Sequence, residues 1–143
     1  MANSSKKPSA ALPDFHGYRI LLAEDNELNQ EIAQTILEMN GFTVCCANDG
    51  RKARDLFVSH APGYFDAILM DIRMPVMDGL ESTRCIRTSG RPDARTIPIL
   101  ALTANAFDED LKKSMESGMD GHLSKPIQVG LMMELLGEMH WKT

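Results

Sequence analysis

The feature that most constrains the fold of this chain is a repeated alternation between short apolar runs and segments with helical periodicity. The runs that predict strands are residues 18–23, 42–47, 65–70, 97–103 and 119–124. The segments that predict helices are residues 27–39, 49–59, 79–88, 107–117 and 127–139. Nearly continuous apolar strands that alternate with helices are typical of a parallel sheet covered on both faces, with right-handed crossovers. We therefore predict a doubly wound α/β domain, (βα)5, built on a five-stranded parallel sheet.

The change of periodicity is clearest at the first step from strand to helix. The apolar run YRILLA ends at the polar residues 24–26. After it, apolar residues recur at helical spacing, namely Leu28, Ile32, Ile36 and Met39. The pair Asn40-Gly41 then supplies a stop signal, so the segment is predicted to be a helix that ends near residue 39.

Residues 1–16 differ from the remainder of the chain because they are small, polar and punctuated by proline. We interpret them as a flexible tail or a linker from a longer protein. Residues 17–143 are then one domain, whose size suits a single hydrophobic core.

Composition narrows the class of protein. The net charge is −5 and the basic residues are scattered, so no nucleic-acid contact is expected. No run approaches the ~20 apolar residues of a membrane span, and the N-terminus lacks the apolar segment of a signal peptide. The three cysteines include no CxxC pair and are interpreted as packing thiols. We expect a cytoplasmic chain without membrane contact, or the cytosolic part of a larger protein.

Polar residues follow the predicted strands at the points where the strands end. Glu24 and Asp25 follow the first strand, Asp71 follows the third, Thr103 closes the fourth, and Lys125 follows the fifth. In an open parallel sheet, ligands bind beyond the carboxyl ends of the strands. Taken singly, the acids are helix caps or loop acids and the lysine is a surface residue. Together they predict one functional site at this edge of the sheet.

Three carboxylates in one cleft repel each other, so a cation must offset their charge. Mg²⁺ (or Mn²⁺) prefers oxygen ligands and is suited to carboxylates plus a phosphate oxygen, and Lys125 offers a second cation. We therefore expect the metal at Asp25 and Asp71, oriented by Glu24. With Thr103 as a hydroxyl donor, this set suits phosphoryl transfer in which Asp71 becomes an aspartyl phosphate.

The same sheet is compatible with two other functions. Flavodoxins bind FMN at this position, but the acids of EDNELN have the wrong sign for a bound phosphate unless a metal intervenes. A pure interaction module without phosphoryl chemistry is the second alternative, and the competent residue types at all five positions argue against it.

The motifs LLAEDN, ILMDIRMPVMDG, ILALTAN and GHLSKP, in this order, resemble the receiver domain of two-component response regulators over about residues 18–140. The resemblance implies a flavodoxin-like sheet with strand order 2-1-3-4-5. It also implies the roles of individual residues: Asp71 is the phosphoacceptor, Glu24 and Asp25 are the acidic pair, the Arg73 backbone carbonyl is a metal ligand, Thr103 is the switch hydroxyl, Lys125 senses the phosphate, and Pro126 follows a cis peptide bond.

The segment EDNELNQEIAQTILEMNGF resembles more specifically the receivers fused to hybrid sensor histidine kinases, with a free-standing regulator as the alternative. The implied partner is a histidine kinase or a histidine phosphotransfer domain. Phosphorylation would rearrange the face formed by helix 107–117, strand 119–124 and helix 127–139, and homodimerisation through that face is a further implied outcome. The domain itself would catalyse only its own phosphorylation and dephosphorylation, whereas a parent hybrid protein would be a histidine kinase.

Two details concern the rate and the switch. Arg73 and Asn105, two residues beyond Asp71 and Thr103, are predicted to tune the lifetime of the aspartyl phosphate. Receivers usually carry Tyr or Phe at the position of His122. Since histidine is smaller and titrates near neutral pH, coupling of this switch position to Thr103 is expected to be weakened or pH-sensitive, with a plain surface residue as the alternative.

Overall fold

The computed structural model describes residues 17–104 and 108–141. Its strands are β1 (Arg19–Ala23), β2 (Thr43–Ala47), β3 (Ala67–Asp71), β4 (Ile99–Thr103) and β5 (Gly121–Ser124). Its helices are α1 (Glu27–Met39), α2 (Gly50–Ser59), α3 (Gly79–Arg87), α4 (Asp108–Ser117) and α5 (Val129–Trp141). The five strands are parallel and lie in the order β2-β1-β3-β4-β5. The predicted fold class and strand order are thus confirmed.

The sheet separates two hydrophobic layers. Along each strand, alternate side chains point to opposite faces, so Leu21 and Ile68 join one layer while Ile20 and Leu69 join the other. Every residue of β3 and β4 is buried. This explains why their sequences are continuous apolar runs, as expected for central strands covered on both sides.

The first three helices begin directly after polar residues that cap them. Asn26, Asp49 and Asp78 precede α1, α2 and α3, and each side chain accepts a hydrogen bond from a backbone N–H three residues later. Such caps satisfy backbone donors that have no partner within the helix. The loops before these helices are therefore fixed by local chemistry.

The apolar stripe that predicts α1 is not the face that packs on the sheet. Leu28, Ile32 and Met39 are exposed, whereas Ala33 and Leu37 are buried. The helix thus packs through its neighbouring face. The spacing of the apolar residues predicted the helix correctly, but several of these residues form an apolar surface that faces solvent.

Apolar residues next to the strands shifted several predicted boundaries. Phe42, Ile97, Met119 and Ile127 are buried but lie outside the regular elements. They fill the core from loops, so hydrophobicity alone extends the predicted element beyond its hydrogen-bonded part. The three cysteines are free and half-buried. Within the described ranges, no helix combines the length and apolar character needed to cross a bilayer.

Candidate functional site

The strand order brings the predicted site residues to one edge of the sheet. Glu24 follows β1, Asp71 ends β3, Thr103 ends β4 and Lys125 follows β5, and these strands are neighbours in the sheet. All four residues line one cleft together with Asp25. Topology therefore assembles residues that are as far apart as positions 24 and 125 in the sequence.

The acidic residues form a tight cluster within this cleft. Carboxylate oxygens of Glu24, Asp25 and Asp71 lie within 4.8 Å of one another. Glu24 and Asp71 are buried, with 2% and 5% of their surface exposed, while Asp25 is exposed. Two of the three carboxylates are therefore largely removed from water, and the third faces the solvent from which a ligand would enter.

Lys125 places a cationic side chain against this cluster. Its Nζ lies 2.8 Å from Oε1 of Glu24 and 2.9 Å from Oδ2 of Asp71. The backbone N–H of Asn26 donates to the other oxygen of Glu24 at 3.1 Å. The backbone N–H of Arg73 lies 3.2 Å from Oδ1 of Asp71, to which it donates. Both buried carboxylates thus have a donor on each oxygen, as buried charges require.

The cluster shifts the acidity of its members in opposite directions. Burial raises the pKa of Asp71 from 3.8 to about 6; the hydrogen bond from Lys125 opposes this rise and the charge of Glu24 adds to it. For Glu24, burial also favours the neutral acid, but the hydrogen bonds from Lys125 and Asn26 outweigh it and lower the pKa. Burial disfavours the charged form of Lys125 too, yet its two carboxylate partners raise its pKa. The raised pKa of Asp71 means that burial and the charge of Glu24 together outweigh the stabilisation of its carboxylate by Lys125.

A divalent cation fits this arrangement of donors. The three carboxylates supply hard oxygen ligands, which Mg²⁺ prefers, and their excess negative charge is what a cation would neutralise. Arg73 lines the same cleft, directly beyond Ile72, so its backbone carbonyl belongs to the segment that borders the acids.

Thr103 and His122 lie in different environments. Thr103 is buried at the end of β4 and lines the cleft. His122 is exposed on β5, where its register partner in β4 is Ala101. The peptide bond between Lys125 and Pro126 is cis, the isomer predicted from the sequence. Asn105 lies outside the described residues.

One contributor to the site carries no signal in the sequence. The side-chain amide of Gln30, on α1, donates to the backbone carbonyl of Glu24 at 3.0 Å. It thereby ties the first turns of α1 to the acidic end of β1. A glutamine within a polar helical stretch resembles a solvated surface residue, so only the folded arrangement reveals this contact.

A family model described as the response regulator receiver domain matches residues 20–136, which is most of the chain. The chain belongs to this family. It is therefore a receiver domain of the two-component phosphorelay type, as the four sequence motifs predicted.

Similar curated proteins include hybrid histidine kinases. The chain is 40% identical over 120 residues to hybrid signal transduction histidine kinase I of Dictyostelium discoideum, covering 82% of this chain and 7% of that protein. It is 42% identical over 124 residues to the osmosensing histidine protein kinase SLN1 of Saccharomyces cerevisiae, covering 84% of this chain and 10% of that protein. The chain thus spans about a tenth or less of the length of these relatives.

Solved structures of receivers have the same fold. The receiver domain of the sensor histidine kinase PA1611 from Pseudomonas aeruginosa, with a magnesium ion coordinated in its active-site cleft, is 38% identical, with a TM-score of 0.75 over 85% of this chain and 96% of that one. The receiver domain of the Saccharomyces cerevisiae response regulator Ssk1, in complex with the histidine phosphotransfer protein Ypd1, gives a TM-score of 0.72 at 26% identity, covering 91% of this chain and 93% of that chain.

Proposed function

We propose that Asp71 accepts a phosphoryl group from a phosphohistidine. The observation that carries this proposal is the position of the Asp71 carboxylate, which is buried at the end of β3, in contact with Lys125 and within the acidic cluster. A structural carboxylate would not be expected beside two further acids, because their repulsion destabilises the fold. The charge makes sense if a cation and a phosphoryl group occupy the cleft.

The transfer follows from the groups present. A carboxylate oxygen of Asp71 attacks the phosphorus, and the new O–P bond forms as the N–P bond of the phosphohistidine breaks. The bonding electrons leave with the imidazole nitrogen, which takes up a proton. Lys125 is then released from part of its carboxylate pairing and can contact a phosphoryl oxygen, while Thr103 offers its hydroxyl from the end of β4. Attack of water on the phosphorus later returns the free carboxylate and inorganic phosphate.

Glu24, Asp25, Asp71 and the backbone carbonyl of Arg73 are proposed to hold the required cation, Mg²⁺ (or Mn²⁺). The compact carboxylate cluster supports this assignment, as does the magnesium in the receiver of PA1611. When bound, the ion neutralises charge on the phosphoryl oxygens and helps to position them. Arg73 and Asn105 remain the residues predicted to set the lifetime of the acyl phosphate.

A phosphohistidine donor must cover the surface around the cleft to reach Asp71. Leu28 and Ile32 on α1 are 65% and 44% exposed, and Ile32 lines an apolar recess with Glu24, Lys125 and Pro126. Exposed apolar residues beside a reactive site mark a docking surface. We propose that a histidine phosphotransfer domain, or the equivalent part of a histidine kinase, docks there; the complex of Ssk1 with Ypd1 supports a partner of this kind.

The docking surface can be tested on one helix. Ile32→Glu should slow transfer from a phosphohistidine protein but not phosphorylation by a small-molecule donor, because only the former needs the surface. Met39→Glu is the matched control, since Met39 is also exposed on α1 but lies about 10 Å further along the axis. Equal slowing by both substitutions would contradict the assignment.

The output face is proposed to be the one formed by α4, β5 and α5. Leu111, Met115, Leu131, Leu135 and His122 line an apolar groove on this face. A change at Thr103 that repositions α4 would alter this surface, as expected of a two-state element biased by a new charge. Homodimerisation through it is one proposed readout. His122 is proposed to be either the switch residue of this face or a plain surface residue.

The full-length protein is proposed to be a hybrid sensor histidine kinase, because the relatives named above are of that class. Either the whole protein is cytoplasmic, or this receiver is the cytosolic part of a membrane-anchored kinase. A free-standing regulator is the alternative. Residues 1–16 are proposed to be the tail or linker that joins the receiver, residues 17–143, to its surroundings.

Phosphorylation itself is tested by intact mass after incubation with a small-molecule phosphodonor, with and without Mg²⁺. We expect one metal-dependent phosphoryl adduct on the parent chain and none on Asp71→Asn. A folded, metal-binding parent that accepts no phosphoryl group from either the small molecule or a phosphohistidine protein would instead favour the interaction module.

A further inference from the structure

The loop of residues 72–78, which connects β3 to α3 and contains Arg73, has an unusual backbone. Val76 has a φ of 68°, and among the described residues it is the only one other than glycine with a positive φ. The N–H of Met77 donates to the carbonyl of Pro75 at 2.7 Å, which closes a three-residue γ-turn around Val76. A β-branched residue in this region of φ is strained, and such strain persists only where the surroundings impose it.

Two backbone hydrogen bonds impose this conformation from the ends of the loop. The N–H of Gly79 donates to the carbonyl of Ile72 at 2.9 Å, which closes the loop on itself. The N–H of Gly50, the first residue of α2, donates to the carbonyl of Met77 at 2.9 Å. The second bond ties the loop to a different helix, so the position of the loop depends on α2.

Glycine is the only residue type that fits at position 50, beside the carbonyl of Met77. A Cβ at position 50 would lie 2.2 Å from the carbonyl oxygen of Met77 and 2.8 Å from that of Asp78. Ordinary contact begins at 3.4 Å, so a methyl group would have to displace the loop by about 1 Å. The neighbouring atoms are backbone and cannot rotate away as the end of a side chain could.

The α2 side of the contact is itself fixed. Ser82 of α3 is fully buried, and its hydroxyl donates to the carbonyl of Gly50 at 2.7 Å. Asp49 caps α2 by accepting from the N–H of Lys52 at 2.8 Å. The hydrogen bond from Ser82 and the Asp49 cap therefore fix the start of α2. An added methyl group at position 50 would displace the 72–78 loop and not α2.

We propose that Gly50 is a positioning residue for the cation site: its contact with Met77 holds the strained 72–78 loop so that Arg73, which lines the cleft with Asp25 and Asp71, can offer its backbone carbonyl to the ion. This inference rests on the proposed metal-dependent function. Gly50 touches none of the proposed ligands and acts only through the loop. Residues that orient metal ligands typically cost 10- to 100-fold in metal affinity or activity when replaced.

The test is the Mg²⁺ affinity of the unphosphorylated protein, measured by titration calorimetry on samples shown to be folded. Gly50→Ala is expected to weaken Mg²⁺ binding about tenfold or more. Gly130→Ala is the matched glycine control, because a Cβ there meets nothing within 4 Å. Ile20→Ala controls for stability, since it opens a cavity at the opposite end of the sheet from the site. Both controls should retain the parent affinity within about twofold.

The affinities of the parent, Gly50→Ala and the control variants decide whether the proposal stands. Loss of affinity in Gly50→Ala, with both controls unchanged and Ile20→Ala at least as destabilised in urea, supports the proposal. Parent-like affinity in Gly50→Ala overturns it, and so does an equal loss in Ile20→Ala. If the parent protein binds no Mg²⁺, the proposed metal site is wrong, and this inference fails with it. The same holds if Asp25→Asn has the same Mg²⁺ affinity as the parent.

If Gly50→Ala does not fold, Ser82→Ala gives a second test without added volume. It removes the hydrogen bond to the Gly50 carbonyl and should weaken Mg²⁺ binding severalfold, because α2 is then held less firmly against the loop. Unchanged affinity in this folded variant would overturn the proposal.

Discussion

Replacing Asp71 by asparagine should stabilise the metal-free protein at neutral pH, although it removes the proposed phosphoacceptor. Burial and the neighbouring Glu24 raise the pKa of Asp71 from 3.8 to about 6, a difference of about 2 units, even with Lys125 opposing the rise. At 1.36 kcal/mol per unit, the charge of Asp71 costs about 3 kcal/mol in the folded state. The amide keeps the shape of the side chain without its charge.

The expected gain in the free energy of unfolding is about 1 to 3 kcal/mol. The lower end applies because a neutral amide is a weaker acceptor for Lys125 than a carboxylate. Lys125 keeps its contact with Glu24 at 2.8 Å, so its own charge remains paired.

The pH dependence separates this electrostatic cause from a change in packing. Above pH of about 6, Asp71 is ionised in both folded and unfolded states, and the full cost is present. As the pH falls through about 6, the folded state binds a proton that the unfolded state does not, so the parent becomes more stable relative to Asp71→Asn. The difference between the two proteins should therefore be largest at neutral pH and should nearly vanish near the unfolded pKa of 3.8.

The assay is urea unfolding in the presence of a chelator, at neutral pH and at a series of lower pH values. Asp55→Asn serves as the control, because Asp55 pairs with Arg54 on the surface and exposed pairs contribute little. A lower stability of Asp71→Asn than of the parent at neutral pH would refute the electrostatic cause. An advantage of Asp71→Asn that did not shrink on acidification would refute it equally.

Two further substitutions test other parts of the electrostatic framework. Lys125→Met should lower the free energy of unfolding of the metal-free protein by about 3 kcal/mol, since it leaves two buried carboxylates without their cation. Mg²⁺ should restore more stability to this variant than to the parent. Urea unfolding with and without Mg²⁺ measures both effects. Arg87→Lys should cost about 2 kcal/mol, because an ammonium cannot reproduce the guanidinium contacts. That guanidinium donates to the carbonyls of Gly118, Ala94 and Ile97 and to Asp120, and so joins α3 to the segments that precede β4 and β5. Thermal unfolding tests this prediction, and an unchanged melting temperature would contradict it.

The sheet and the central site were predictable because their signals are local and repeated. Each strand is an apolar run, and each functional residue stands at the point where a strand ends. Parallel topology then brings Glu24, Asp71, Thr103 and Lys125 together without further information. The caps formed by Asn26, Asp49 and Asp78 are equally local contacts, since each side chain acts on a backbone N–H three residues away.

Features that depend on the approach of distant elements could not be predicted in this way. The stripe of Leu28 and Ile32 indicated the helix but not which side of it meets the sheet. Gly50 reads as an ordinary residue at the start of a helix, yet a Cβ there would meet the carbonyl of Met77. The contact of Gln30 with the Glu24 carbonyl is of the same kind. In each case a contact between separate elements determines the role of the residue, and the hydrophobic periodicity of one segment does not indicate such contacts.

The measurement that tests the central claim most directly is the location of the phosphoryl group. The chain is phosphorylated in the presence of Mg²⁺ and reduced with borohydride, which converts an aspartyl phosphate to homoserine, and the peptides are then sequenced by mass spectrometry. Our account predicts homoserine at position 71 alone, and none when Mg²⁺ is withheld. Reduction at Glu24 or Asp25, or at no carboxylate in a chain that carries the phosphoryl group, would contradict it.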